Sequence, residues 1–443
     1  MLGELARILS SIEFTALDAA TLDAARARIF DTLGALVVGL QTPEGRALRD
    51  YGKGESGERV MLGFADCRLY VGATRATEVD DIDVASCTTV GSVVVPTALA
   101  LAVRRRADGR ALLAAVATGY EAMQRLGRAI GGATLIYRGV WPTYVTAPFA
   151  AAATVAKLLR LDAPTTERAL ALVLTRTTAA PAAALTRFGS RCDSLGCAAV
   201  EGADAAFLAA QGIEADGDAL ARFAKRIAVT LDAAELVRPA DTSWLLREVD
   251  SKLWPTSRQA LASVAAFRGL ELTPASVEAI ERIVVAVPGA YRAMVDRQAP
   301  PTQRIESMIG VQYQFALAAY APEKLYDAIR SEVPTPSEYA ALMAKTEVRA
   351  DAALDARFPR QWGSRVTVRF RSGEERTQEV LDPDGAAARP LDLDGLERKY
   401  ARIFAASEFG KPGLLSVARE RCRQLGRAAG DAGLVTDLWT SIE

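Results

Sequence analysis

The chain of 443 residues contains no histidine. Proton transfer near neutral pH therefore falls to carboxylate, lysine, tyrosine, cysteine or serine, with arginine as a permanent cation. Zinc sites of the His-rich kind are excluded. The densest group of acids is Glu78, Asp80, Asp81 and Asp83. A hard cation is conceivable there, but the spacing matches no calcium loop. Helix capping or pairing with Arg75 is the expected use, and Asp80 or Glu78 is the choice if one carboxylate is catalytic. Lys252 is a further acid or base, since a buried lysine near other cations can lose its proton near neutrality. Its structural alternative is an ion pair with Asp250 or another acid. Arg138 stands beside Gly139, ahead of a helix beginning near Thr146, where backbone N–H groups help to hold an anion. Its structural alternative is to tie that loop down. Tyr144 can donate a proton. Cys192 and Cys197 are spaced too loosely for a redox C-x-x-C pair and read as small core residues. Gly52 to Gly57 (G-K-G-E-S-G) lacks the G-K-[ST] of a phosphate loop after a strand.

Half of the residues are apolar and 24% are charged, an ordinary globular composition. The length suggests two or three domains. The formal net charge of −1 offers no basic field for nucleic acid. Arg104, Arg105 and Arg106 form a local basic run that reads as a solvated helix end. Met1-Leu2-Gly3-Glu4 lacks a basic leader region. No stretch reaches the roughly 18 to 20 apolar residues of a membrane span. Five dispersed cysteines form no secreted disulfide framework. These features predict a cytoplasmic protein with no nucleic-acid or membrane partner.

The elements that must position these side chains are mainly helical. Between Asp23 and Leu40, Ile29, Leu33, Leu36, Val37 and Leu40 fall on one helical face. Similar patterns run over Val95–Val103, Ala111–Ile130, Thr146–Leu159, Thr166–Leu185 and Ala198–Ala210. The pattern changes near Leu270. Ile280–Pro288 reads as a strand; Ser364–Phe370 and Glu374–Leu381 read as a hairpin turning at Ser372-Gly373. Helical segments around Gln303–Tyr320 and Pro336–Lys345 lie between, and Leu393–Ala406 and Leu414–Ala428 are helical again. The predicted fold is mainly α: a large all-helical domain (residues 1–271), a smaller inserted α+β, lid-like domain (272–390), and C-terminal helices (391–443) returning to the helical domain.

Seven short motifs, in order, resemble one family. Arg28 to Gly34 resembles its first long helix, and Tyr70 to Asp81 its N-G-x-x-x-H-x-x-D-F-D-D stretch. Gly91 to Ala98 resembles the end of H-P-G-x-x-x-x-P-A. Gly119-Tyr120-Glu121 with Arg125-Leu126-Gly127 resembles G-Y-E-x-x-x-R-L-G, and Arg138 to Thr143 resembles R-G-x-H-P-T. Gly196 to Ala199, with Gly202 and Ala205 to Leu208, is similar to K-x-L-H-x-G-x-A-A-x-x-G, and Lys252 to Pro255 to K-x-x-P. The family is MmgE/PrpD, which includes 2-methylcitrate dehydratase, cis-aconitate decarboxylase and iminodisuccinate epimerase. The resemblance covers nearly the whole chain.

That resemblance implies a cofactor-independent lyase or isomerase, without metal or organic cofactor, acting on a small-molecule carboxylate, and a homodimer. The departures are systematic. Family histidine positions hold Arg75, Thr89 with Thr88 beside it, Trp141, Ser194, and Ser257 or a neighbour. The family's first aspartate is Glu78 and its lysine is Arg191, while Asp80, Asp81, Arg138 and Lys252 remain. The expected carboxylate clamps are Arg138, Arg191 and Arg75; for Arg191 a pair with Asp193 is the alternative. Lys252, Tyr144, Asp80 or Glu78 would move protons. Trp141, and Trp254 as a second wall, would suit a larger or less charged substrate than 2-methylcitrate, one of specialised metabolism. Two other functions stay open: a shape-templating cyclase with an aromatic pocket, and a non-catalytic ligand-binding paralogue.

Overall fold

The computed structural model describes residues 1–53, 65–177, 188–239, 243–409 and 412–440. Residues 54–57 of the G-K-G-E-S-G stretch and the end of the helix expected to reach Leu185 lie outside these. Among the described residues the fold is mainly helical with a smaller α+β unit, as predicted, and the strands of that unit form one small mixed sheet. Among the described residues no helix is long and apolar enough to cross a membrane.

Side-chain caps set where several helices begin. Asp18, Asp108 and Asp162 accept backbone N–H groups at the starts of Ala19–Gly39, Gly109–Ala129 and Ala163–Arg176. The predicted helix near Val95 spans Gly91–Arg105, and Arg104 to Arg106 form its exposed end. Helices Gly109–Ala129 and Pro142–Leu158 are buried on most faces, and alanine lets them lie close. Ser190–Ala210 packs on Pro142–Leu158 and on Ala65–Ala76. The second contact is backbone to backbone: a Cβ added at Gly196 would stand 2.4 Å from the carbonyl oxygen of Arg68. This close approach matters because Arg75 and Arg191 stand on these two helices.

The sheet has the order β2-β1-β3-β4, with β1 Ile280–Val287, β2 Thr346–Ala350, β3 Ser364–Phe370 and β4 Glu375–Val380. β1 pairs parallel to β2 (Ile283 opposite Thr346) and antiparallel to β3 (Val285 opposite Val366). Ile283, Val285, Val366 and Val368 turn inward. Helix Arg258–Gly269 packs against β3 and β4. The α+β layer therefore gathers in a helix that lies before the boundary expected at residue 271. Helices Leu393–Ala406 and Pro412–Gln424 pack on Ala19–Gly39, and a final helix, Ala432–Thr440, packs on Gly91–Arg105.

Candidate functional site

Two segments bring the charged residues together. Ile82 and Asp250 exchange antiparallel backbone hydrogen bonds of 2.9 and 2.8 Å. On the other side, the Ser251 N–H donates to the carbonyl of Gly385 at 2.7 Å. Gly385 has φ +89°, and an added Cβ would lie 2.2 Å from the Ser251 carbonyl oxygen. Lys252 is thus held from two sides. Glu78, just beyond helix Ala65–Ala76, has φ +55°. A non-glycine residue in the left-handed region is held there by its surroundings, and the Glu78 carbonyl accepts from the Thr256 N–H at 3.2 Å.

Lys252 Nζ lies 2.9 Å from Glu78 Oε2 and 2.9 Å from Asp80 Oδ1. Arg75 reaches Glu78 Oε1 at 3.0 Å and Asp80 Oδ2 at 3.2 Å. Arg191 Nη2 stands 2.6 Å from Glu78 Oε1. The Ser92 hydroxyl donates to Asp80 Oδ2 at 2.7 Å. All of these side chains are buried. Within the cluster three cations face two carboxylates, leaving one net positive charge away from water. An unmatched buried charge is costly, and an anionic ligand relieves it.

Burial opposes ionisation of Glu78, yet Arg75, Lys252 and Arg191 outweigh it and hold the carboxyl well below the usual range. For Arg75, burial is likewise outweighed by Asp80 and Glu78, which push its pKa well above the ordinary value. Burial pushes the Cys87 thiol up to about 12, so it is a thiol rather than a nucleophilic thiolate.

Arg75, Glu78, Cys87, Arg191 and Lys252 line a cavity of about 30 Å³, room for about one water, whereas Asp80, expected as a catalytic carboxylate, is paired with Arg75 and Lys252 and is not among the lining residues. Arg75, Glu78, Arg191 and Lys252 contribute from the helical side, Met294 and Ile309 from the α+β side. Trp141 also lines it, its ring 5.7 Å from the Arg75 guanidinium carbon and 5.1 Å from the Tyr144 ring. The buried Tyr144 hydroxyl has no hydrogen-bond partner among the described residues; burial raises its pKa above the ordinary tyrosine value. Thr89 and Ser257 line the cavity too. The Thr89 hydroxyl is unpartnered among the described residues, and that of Ser257 lies 3.4 Å from the Ile309 carbonyl. Thr88 turns instead to Ser86, at 2.6 Å.

Several expectations are corrected. Arg138 is exposed and donates to the Ala228 carbonyl at 2.8 Å, so it does not reach the cavity. Asp193 pairs with Arg68 at 2.5 Å rather than with Arg191. Asp250 pairs with Arg258 at 2.6 Å rather than with Lys252. Trp254 packs against Tyr326 and Arg268, away from the cavity. Asp81 faces the opposite side of its segment, accepting from the Tyr120 hydroxyl at 2.5 Å and the Gly91 N–H at 2.7 Å. Asp83 binds Arg128 at 2.8 Å. Arg258, Gln259, Met294 and Ile309 line the cavity without having been predicted; only Arg258, next to Ser257, carried a signal in its position. Among the described residues no group of three or more His, Cys, Asp or Glu side chains gathers as a metal site.

Residues 3–237 match the MmgE/PrpD N-terminal domain and residues 254–410 the MmgE/PrpD C-terminal domain. No curated protein matches the chain in sequence. Between them the two matches cover most of the sequence and residues on both faces of the cavity, Arg75 and Arg191 in the first and Met294 and Ile309 in the second, while Lys252 lies between the two matched stretches. The chain belongs to the MmgE/PrpD family.

Proposed function

We propose that the protein is a cofactor-independent lyase or isomerase that moves a proton next to a carboxylate on a small molecule. The observation that carries this reading is the single net positive charge of the buried Arg75, Arg191, Lys252, Glu78 and Asp80 cluster. A substrate carboxylate binds to Arg191 and Arg75, whose guanidinium forks suit bidentate capture. In doing so it draws both cations away from Glu78. The Glu78 carboxylate, less stabilised as an anion, becomes the stronger base and takes a proton from the carbon beside the bound carboxylate. The C–H electron pair passes into the carboxylate as an enediolate, which the Lys252 ammonium and the two guanidinium groups hold. Tyr144 or Lys252 returns a proton, either to a departing group in elimination or to the same carbon in epimerisation.

A cavity of about 30 Å³ admits no such substrate as it stands, so the α+β layer that carries Met294 and Ile309 moves aside to let it in. Trp141, an indole that cannot take a proton where the family has an imidazole, favours a larger or less charged substrate than 2-methylcitrate, in specialised metabolism. A cytoplasmic homodimer is the proposed form, and light scattering on the purified chain tests the stoichiometry. Trp141 over Arg75 also supports the second reading, a templating cyclase.

The test is proton NMR of a panel of mono-, di- and tricarboxylates incubated with the enzyme in deuterated water. Deuterium should enter at the carbon next to one carboxylate, and Glu78→Gln should slow that entry by about 10²-fold or more. Exchange that persists in Lys252→Ala and Tyr144→Phe but fails in Trp141→Ala supports the templating reading. Thermal stabilisation by a carboxylate with neither exchange nor turnover points to a binding paralogue and sinks the enzyme proposal.

A further inference from the structure

A second charged groove lies between helix Leu393–Ala406 and Tyr326. It encloses about 650 Å³, within the usual range for small-molecule sites. Arg268, Arg389, Arg398, Lys399 and Arg402 line it against one carboxylate, Asp384. Asp384 is taken by Arg389 at 2.6 Å. Arg268, Arg398 and Arg402 have no carboxylate partner among the described residues. The chain as a whole has a formal charge of −1, so this excess is local. The larger groove, of about 910 Å³, carries no such excess: its five arginines are lined up with four carboxylates, and among them Arg26 meets Asp23 at 2.7 Å and Arg423 meets Asp394 at 3.2 Å.

The cations are also held in place. The Tyr326 hydroxyl accepts from Arg268 at 2.9 Å and from Arg402 at 3.2 Å. Both guanidinium groups lie over its ring, at 5.5 and 5.7 Å, and Arg268 lies over Trp254 at 5.2 Å. Tyr326 is 6% exposed, a buried anchor for two like charges. Arg398 stands one helical turn before Arg402, on the same face. The floor is Lys399, 3% exposed, whose ammonium binds Asp31 at 2.5 Å and the Val79 carbonyl at 2.9 Å. Guanidinium groups gathered this closely repel one another until an anion sits between them.

We propose that this groove binds a small polyanion with at least two oxyanion groups. Arg268 and Arg402 take one as a fork, and Arg398 takes the next. A phosphate ester and a polycarboxylate share this chemistry. The site is separate from the Glu78 cavity, although Leu253, which lines the groove, is the neighbour of Lys252.

Calorimetric titration of the full chain with inorganic pyrophosphate and with citrate, at fixed ionic strength, tests this. One or both should bind saturably. The double substitution Arg398→Glu/Arg402→Glu, at two exposed side chains, should weaken binding about tenfold or more. Arg398→Gln/Arg402→Gln serves if charge reversal prevents folding. Arg191→Ala, which strips the other cavity of a cation, should leave this binding intact. Tighter pyrophosphate identifies a phosphate ester as the ligand class, and tighter citrate a polycarboxylate. Absence of saturable binding at millimolar probe, wild-type affinity in the double variant, or loss of binding in Arg191→Ala overturns the proposal.

Discussion

Arg191, in the first turn of helix Ser190–Ala210, places Nη2 2.6 Å from Oε1 of Glu78. The same Glu78 carboxylate also receives Arg75 and Lys252, so it is the hub of the buried cluster. Glu78→Gln keeps the shape and removes the charge. Three cations then face Asp80 alone, and a carboxylate ligand should bind at least as tightly as before. Proton exchange should nevertheless fall by about 10² to 10⁴-fold, the range for losing a general base. Thermal shift and NMR exchange measured on one sample check both halves. A variant that loses ligand binding and exchange together would show Glu78 to be structural.

Arg191→Ala should weaken carboxylate binding by about tenfold or more, since a charge-assisted hydrogen bond is lost and Glu78 keeps two cations. Arg191→Lys restores charge but not the fork, and should recover only part of the loss. Equal affinities for alanine and lysine variants, measured by calorimetry with a dicarboxylate, would exclude Arg191 as a clamp.

The charged cluster was partly legible in the residues themselves. The acids at Glu78 and Asp80 stand out as a cluster, whereas Arg75, Arg191 and Lys252 stand out because the family resemblance marks their positions. Their pairing did not. Asp193 looked a natural partner for Arg191, but side chains two apart on a helix do not face each other. Asp193 turns to Arg68 on the neighbouring helix instead. Asp250 sat close to Lys252 in sequence, yet the antiparallel bridge at Ile82 directs it to Arg258. Arg138 looked like a clamp from its loop, but Gly139, at φ +93°, follows it and the side chain stays on the surface.

The fold was more legible than the site, because apolar periodicity is strong in long helices. Leu393–Ala406 begins and ends where the pattern predicts. β2 is not legible because Thr346–Ala350 is a short edge strand: Glu347 and Arg349 do alternate with Thr346 and Val348, but five residues with one large apolar side chain give too little pattern to mark a strand. The contribution of Met294 and Ile309 to the cavity depends on how two layers meet, which no local pattern encodes.

Asp81 should make stability depend on pH. Burial raises its pKa to about 6 from an ordinary 3.8, against the opposing effects of Arg28, Tyr120 and Gly91. Between those values the folded protein binds more protons at this group than the unfolded chain does. Its contribution is therefore full below pH 3.8 and is lost as pH rises through about 6, by up to about 1.4 kcal/mol per pH unit. Asp81→Asn should remove that slope, so the stability difference between the two proteins changes across this window and is flat above it. Urea midpoints at a series of pH values measure this. A constant difference from pH 4 to pH 7 would mean that Asp81 titrates normally.

Gly385→Ala should destabilise the protein by at least about 1 to 3 kcal/mol, because the left-handed backbone is strained for alanine. The new Cβ also meets the Ser251 carbonyl at 2.2 Å, next to Lys252. The residual folded enzyme should therefore lose proton exchange as well. Urea denaturation gives the first quantity and NMR exchange, normalised to folded protein, the second. Unchanged stability would show that the Gly385 turn does not brace the lysine segment.

Tyr144→Phe separates a chemical role from a structural one. The Tyr144 hydroxyl is buried with no hydrogen-bond partner among the described residues, an arrangement that costs the fold about 1 to 3 kcal/mol of desolvation. Phenylalanine keeps the ring against Trp141, at 5.1 Å in the wild type, and removes the unpaired group. Stability should therefore hold or rise. If the hydroxyl is kept for proton delivery, exchange or turnover should drop by about 10²-fold in the same variant. A melting temperature that falls along with activity would mark Tyr144 as a packing residue. One that rises while activity is unchanged would remove it from the chemistry and leave Lys252 as the proton donor.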